Sequence, residues 1–347
     1  MIEAPADAAE RTRDYLRRAR ADQPQKRVPD IARDLDISEA ALLDSCCGFG
    51  TRRLQPSWDA ILNELTGIGP VMALTRNPAA VIETTGCFEN LNTRAGVALG
   101  EKIDLRLFLD QWQTGFAVED QPAFGFRRSL QFFDAGGRTV FKIFAVASTD
   151  LDRLDAVVGR FSREVVTPAA TGGLPEPQVR PDAPEVDRKS LQSSWAAMRD
   201  THDVFALLEK LQLTRLQALR LLDEKQARPV DPGTFEAMLT AAAAEQVPLM
   251  VFVGNPGTIQ IHTGTVSNVK VLGDWVNVLD PELNLHVLMS LLESAWVVQR
   301  PTVDGPVTSL DLFDRDGNLA VQVFGKRKPG IPELESWRDL LARSALA

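Results

Sequence analysis

The chain reads as an α+β protein made by internal duplication: two halves, each with a large antiparallel β-sheet packed with α-helices. Three observations predict this. Gly125–Phe144 (GFRRSLQFFDAGGRTVFKIF) returns 180 positions later as Gly305–Phe324 (GPVTSLDLFDRDGNLAVQVF), and seven of the twenty positions are identical. Chance at average residue usage gives about one or two. Helical patterning then gives way to period-two alternation, and this order occurs twice, which indicates helices set on antiparallel sheets rather than βαβ units. Finally, Asp134-Ala-Gly-Gly137 and Asp314-Arg-Asp-Gly317 carry the same hairpin-turn chemistry.

The correspondence extends upstream. Ile103–Arg106 faces Leu283–His286 and Phe116 faces Trp296 at an offset of 180; Asn77-Pro78 pairs with Asn255-Pro256, and Thr85-Gly86 with Thr263-Gly264, at 178; Pro56 pairs with Pro232 at 176. Small loop insertions account for the drift. The expected boundaries are a first repeat over 11–147, a helix and Pro-rich linker over 148–193, and a second repeat over 194–343. Two such halves are expected to enclose a cleft, where small-molecule sites usually lie.

In the first repeat, Arg11–Ala21 is charged and amphipathic. Val28–Cys46 predicts a helix starting at Pro29, a turn at Asp36 and a new helix capped by Ser38. Ser57–Leu65 predicts another short helix. From Pro70 the segments VMALTR, AVIETTG, DLRLFLD, RSLQFFD and TVFKIFAVA alternate as strands. Thr149–Phe161 returns to helix. Thr167–Pro184 holds five prolines and a Gly-Gly pair and predicts a semi-extended linker. In the second repeat, helices are expected over Ser194–Leu211, over Thr214–Glu224 with Thr214 as N-cap, and over Pro232–Glu245. Strands follow from Leu249 to Phe324, and a closing helix spans Glu333–Ala345.

Composition narrows the function. The 347 residues carry 44% hydrophobic and 24% charged side chains and a net charge of −9, so no nucleic-acid or anionic-membrane partner is favoured. The first residues hold no apolar run, and no stretch approaches the roughly 18 residues of a membrane span. No membrane insertion and a cytoplasmic location are therefore expected. Three cysteines, two of them adjacent (Cys46 and Cys47), make no disulfide framework; the vicinal pair reads as small buried hydrophobes more readily than as a redox centre. Dinucleotide, P-loop, zincin and nucleophile-elbow motifs are absent, and so is CxxCH for covalent haem attachment.

Histidine is scarce, at three residues, and tyrosine occurs once, as Tyr15. His202 stands near a helix start beside Phe205, one turn after Met198. Such an imidazole suits an axial ligand to iron, although the local pattern by itself favours a surface histidine. His286 takes the position of Arg106 in the repeat, and His262 alternates with Ile259 and Ile261 as a surface strand residue. Arg106 interrupts an apolar strand, Arg300 follows the strand VVQ, Arg215 opens a helix, and Arg327 lies just after the last strand. Guanidinium forks of this kind bind carboxylates.

On IDLRLFLDQW (103–112), SLQFFDAGGRTVFKIF (129–144), MRDTHDVFALLEKLQLTRLQALRL (198–221), MVFVGNPGTIQIHTG (250–264), LNLHVL (283–288) and WVVQRPTVDGPVTSLDLFDRDG (296–317), the chain resembles the haemin-degrading factor family, the HemS/ChuS-like cytoplasmic haem proteins of Gram-negative bacteria. The likeness spans about residues 12–343. It implies two similar halves and a haem b pocket in the second, with His202 as proximal iron ligand. A distal arginine falls on Arg106, with Phe108 nearby. Porphyrin-edge and propionate contacts fall on Arg215, Arg300, Gln322 and Arg327. Some relatives carry lysine at position 300 and tyrosine near 324, where this chain has Arg300 and Phe324. Val204 and Phe205 stand where some relatives have a second histidine, which argues against ligand switching within the helix. His202 and Arg106 are expected on opposite faces of one porphyrin.

The resemblance leaves two activities open: a carrier delivering haem, with a haem oxygenase or the haem importer as partner, and an enzyme degrading it with electrons from outside. In the second case Arg106 would be the catalytic residue. Another tetrapyrrole is a further alternative ligand. A reading from a different class is a DNA-binding regulator, because PDIARDLDISEAALL resembles the first helices of a helix-turn-helix; the acidic balance and the lack of a basic recognition helix weigh against it.

Overall fold

The computed structural model describes residues 5–120, 127–163, 186–328 and 330–345. The expected proline-rich linker, 167–184, lies outside them, as do positions 125 and 126 of the repeated segment. The chain divides into two compact units. One comprises Met1–Arg76, Glu83–Gln178 and Asn255–Ile259, the other Asn77–Ile82, Val179–Gly254 and Gln260–Ala347. Each unit therefore includes a hairpin tip from the other repeat, which the continuous boundaries drawn from sequence did not anticipate.

The first unit begins with α1 (Pro5–Asp22), α2 (Val28–Asp34) and α3 (Glu39–Ser45). These are followed by β1 (Thr51–Arg53), α4 (Trp58–Leu65), β2 (Val71–Arg76), β3 (Ala80–Gly86), β4 (Leu91–Asn92), β5 (Val97–Leu99), β6 (Asp104–Leu107), β7 (Thr114–Asp120), β8 (Arg127–Phe133), β9 (Thr139–Ala145) and α5 (Leu151–Phe161). Asp36 sits at φ 54° between α2 and α3, and the Ser38 hydroxyl accepts from Ala41 N, as the turn and cap signals predict. β1-β7-β8-β9-β2-β3 are consecutive neighbours, and so are β6-β5-β4. One sheet face sends Leu130, Phe132, Phe141 and Ile143 against Trp58 and Ile61 of α4 and Val157 and Phe161 of α5. The other face meets α1–α3 through Phe116, Val118 and Phe133. Asn255 ties the borrowed tip down by donating to Arg76 O at 3.0 Å and Val140 O at 2.8 Å. Gly257 is required there: a Cβ would stand 2.5 Å from Val140 Cγ1 and 3.2 Å from the Trp112 ring.

The second unit repeats the plan with α6 (Arg188–Ala196), α7 (Asp203–Leu211), α8 (Arg215–Leu221), β10 (Ala227–Val230), α9 (Thr234–Glu245), β11 (Leu249–Asn255), β12 (Thr258–Gly264), β13 (Val269–Leu272), β14 (Trp275–Asp280), β15 (Leu283–Leu288), β16 (Leu292–Arg300), β17 (Val307–Asp314), β18 (Leu319–Gly325) and α10 (Glu335–Ser344). β10-β16-β17-β18-β11-β12 are consecutive neighbours, and so are β15-β14-β13, the same two runs as in the first repeat. Asn77 here donates to Gly254 O at 3.0 Å and Ala320 O at 2.8 Å, the counterpart of Asn255. The fold is α+β, as expected.

One helix prediction needs correction. Ser194–Leu211 is not continuous: α6 ends at Ala196 and α7 begins at Asp203. Two side-chain carboxylates break it. Asp203 Oδ2 accepts from Arg199 N and Asp200 N, and Asp200 Oδ1 accepts from His202 N at 2.8 Å. These backbone donors are thereby taken out of the helical ladder.

Candidate functional site

Every residue of β17 is buried, so both of its faces are covered. Leu310 and Leu312 point, with Val251, Val321 and Val323, into the core beneath α9 and α10. The alternate residues form the other face. One row across the sheet reads Trp296, Asp311, Gln322, Phe252, and the next reads Val298, Ser309, Phe324, Met250. Helices α6–α8 close part of this face through Trp195, Met198, Val204, Leu216 and Leu219.

A carboxylate stands at the centre of that face. Asp311 is fully buried and accepts hydrogen bonds from Arg300 Nη2 (2.8 Å), Ser309 Oγ (2.5 Å) and Gln322 Nε2 (2.8 Å). Arg300 is itself 1% exposed, and its other terminal nitrogen donates to Ser309 Oγ at 2.6 Å. Burial pushes the Asp311 carboxyl upward, but Arg300, Arg215 and the two neutral donors outweigh it and hold the group below the ordinary aspartate range.

Arg215 approaches from α8. Thr214 and Gln217 form a capping box at the start of that helix and fix where the arginine emerges. Its Nη1 lies 3.8 Å from Asp311 Oδ2, too far for a hydrogen bond, and this buried nitrogen has no hydrogen-bond partner. The guanidinium lies over the Phe205 ring at 5.6 Å. Burial brings it down to about 10, with Arg300 adding to the effect and Asp311 opposing it.

His202 occupies the N-cap of α7. Its Nδ1 is 2.5 Å from Asp200 Oδ1, and its ring stacks on Phe205 at 6.4 Å. The imidazole is 81% exposed. With Nδ1–H held by a carboxylate, Nε2 is left to present a lone pair. The His202 backbone N–H and imidazole, with help from Arg327, keep Asp200 below its usual range. Arg327 is half-buried just beyond β18.

Of the predicted residues, Arg215, Arg300 and Gln322 thus converge on Asp311, and Phe205 links Arg215 to His202. Arg106 and Phe108 belong to the first unit. Arg106 pairs with Asp104 and donates to Leu105 O at 3.1 Å; Phe108 is 42% exposed. His286 is half-buried, with Nδ1 2.7 Å from Asn277 Oδ1. The three cysteines are free. Burial raises both Cys46 and Cys47, the latter to about 11, in keeping with inert packing. Among the described residues no cluster of His, Cys, Asp and Glu could hold a bare metal ion.

Sequence reasoning missed Asp311, Ser309 and Asp200. A signal existed for the first: Asp311 is a carboxylate inside a strand that is apolar on both sides, TSLDLF. The helix-turn-helix reading does not survive the packing of α3. Five of its seven residues are buried, Glu39 and Asp44 among them, which leaves no free face for a groove.

The face is not duplicated in kind. In the first unit Gln131 replaces Asp311 and Lys142 replaces Gln322, and Lys142 is buried in an ion pair with Glu39 of α3.

A family model described as the haemin-degrading HemS.ChuX domain matches residues 36–161 and again 212–344. Both matched ranges exclude His202. Hemin transport protein HmuS of Yersinia pestis is 38% identical over 330 residues, 94% of each chain. The structure of holo-PhuS, a heme-binding protein from Pseudomonas aeruginosa, is similar at TM-score 0.89 and 41% identity, covering 98% of both chains. That of the heme degrading enzyme ChuS from Escherichia coli O157:H7 matches at TM-score 0.90 and 34% identity, over 96% of this chain and 99% of that one.

Proposed function

Because the chain belongs to the haemin-degrading HemS/ChuX family, we propose that it binds haem b in the cytoplasm through His202 and delivers it. The observation that carries this is the pairing of His202 with Asp200 on the same unit as Arg215, whose buried donor is unfilled. The donor set suits the ligand: a neutral imidazole nitrogen for iron, aromatic surface from Phe205 and Phe324 for the ring, and a guanidinium for a propionate. Arg327 adds positive charge next to His202. Gln322 and Arg300 belong to the floor beneath the ring.

Haem supplies the iron chemistry when bound; the chain's part is to bind, orient and release it. Delivery calls for a donor and an acceptor, and the importer and a haem oxygenase fill those roles. No helix among the described residues is long and apolar enough to cross a membrane.

Adding haemin to the apoprotein is expected to give a sharp Soret band that His202→Ala weakens or shifts. An unchanged spectrum in the variant refutes the ligand assignment. Incubating the complex with an electron donor and catalase separates carrier from degrader: intact haem by mass spectrometry supports delivery, and a cleaved tetrapyrrole replaces that reading with degradation.

A further inference from the structure

Three residues expected at the porphyrin edge, Arg215, Arg300 and Gln322, meet at a carboxylate that the sequence reading did not single out. We propose that Asp311 is a positioning residue that limits how much negative charge this face accepts: it neutralises Arg300 from beneath and leaves Arg215 as the one of the two guanidiniums with an unmet donor for an anion. The inference rests on the haem reading and deepens it, because it assigns unequal roles to the two arginines.

The geometry separates them. Arg300 spends both terminal nitrogens inside the protein, at 2.6 Å on Ser309 and 2.8 Å on Asp311, and is 1% exposed. Its fork is complete before any ligand arrives. Arg215 reaches the same carboxylate only at 3.8 Å, and its Nη1 is buried without an acceptor. A buried donor left unmet is costly in the free protein; an oxygen supplied by a ligand removes that cost. The guanidinium is already oriented by the Phe205 ring beneath it and by the capped start of α8. Two guanidiniums and one carboxylate leave one net positive charge, and the atom free to use it belongs to Arg215.

Gln322 completes the arrangement. Its Nε2 donates to Asp311 Oδ1 at 2.8 Å, the oxygen that also accepts from Ser309. Asp311 thus has two donors on Oδ1, from Ser309 and Gln322, and one on Oδ2, from Arg300.

The test compares haemin with haemin dimethyl ester, whose propionates carry no charge, in Soret titrations of the full chain. The readout is the ratio of the two Kd values, which a general loss of fold does not move. In the unaltered protein the ester should bind more weakly by about tenfold or more, the worth of one charge-assisted contact. Arg215→Gln should lower the ratio, leaving what Arg327 contributes. Asp311→Asn should raise it by about tenfold, because Arg300 is no longer neutralised. Where that variant does not fold, Asp311→Asn with Arg300→Met removes the buried pair together, and its ratio should equal or exceed that of the unaltered protein. A ratio insensitive to Arg215→Gln, unmoved by Asp311→Asn in a folded variant, or lowered in the double variant overturns the proposal. Absence of any Soret change with either ligand in the unaltered protein sinks the haem reading itself, and the proposal with it.

Discussion

Asp200→Ala tests how the imidazole is presented to iron. Asp200 Oδ1 lies 2.5 Å from His202 Nδ1, and a carboxylate in that position fixes the orientation of the ring. Loss of such a partner lowers metal affinity by roughly 10- to 100-fold. Both side chains are open to water, at 81% and 56% exposure, so solvent replaces part of the contact and the lower end, about tenfold, is expected. Asp200 also accepts from His202 N at 2.8 Å, so its removal loosens the turn as well. Asp203→Ala controls for that: its carboxylate holds Arg199 N and Asp200 N in the same turn without a hydrogen bond to the imidazole. Haemin titrations should show Asp200→Ala clearly weaker than Asp203→Ala, with Asp200→Asn between them, since the amide oxygen still accepts but carries no charge. Equal losses in the two alanine variants would show that the carboxylate acts only through the backbone, and the argument from the imidazole contact would fail.

Three further outcomes follow from the packing. Lys142→Met strands the buried Glu39 carboxylate and should cost about 3–5 kcal/mol, whereas replacing both partners by methionine should cost much less; urea unfolding gives the magnitudes, and amide exchange on β8 and β9 localises them. Glu333 is a carboxyl that burial holds above its ordinary range, so its folded form loses stability as pH rises through that raised value. Glu333→Gln should therefore melt higher than the unaltered protein at pH 8, and the gap should close on acidification, where both side chains are neutral. Asp311 has the opposite sign: held below its usual range, it contributes stability above the ordinary aspartate pKa that is lost as pH falls through the folded value. Gly325→Ala places a Cβ 2.5 Å from the Trp337 ring and should cost about 1–3 kcal/mol, while Gly159→Ala, in the open face of α5, should stabilise by about 0.5–1 kcal/mol; melting temperatures should move in opposite directions.

Much of this was legible in the sequence because local chemistry governed it. Ser38, Thr214 and the hairpin glycines at 137 and 317 take the conformations their types prefer, at φ 72° for both glycines. The register of the strands follows from period-two alternation. The break at 197–202 was not legible, because it depends on Asp200 and Asp203 competing with the helical ladder, and helix propensity hides that competition. The exchange of hairpin tips was also hidden. Asn77 and Asn255 mark it in the repeat, but their acceptors, Ala320 O and Val140 O, lie far along the chain. In the site, individual arginines could be named from sequence, yet their unequal commitments could not. A guanidinium at 1% exposure and one with an unmet donor look the same in one-letter code.

The two repeats share a sheet and differ in what lies on it, and this difference explains why one of them carries the candidate site. Ser129 and Ser309 are common to both faces, as are Phe144 and Phe324. Between them the charges change places. The first unit puts its cation, Lys142, on β9 and receives the balancing carboxylate, Glu39, from a helix. Thr139 fills the remaining carboxylate oxygen at 2.6 Å, and Arg76 of β2 acts on the same carboxylate as a second cation. The second unit puts the carboxylate on the sheet and surrounds it with two guanidiniums, one of which is only half engaged. Both groups thus hold two cations and one anion, and they differ in hydrogen bonding: both Glu39 oxygens are filled, whereas a buried Arg215 nitrogen has no acceptor, a cost that a ligand oxygen would remove. Duplication supplied the scaffold twice; the unmet donor of Arg215 marks the copy suited to a carboxylate-bearing ligand.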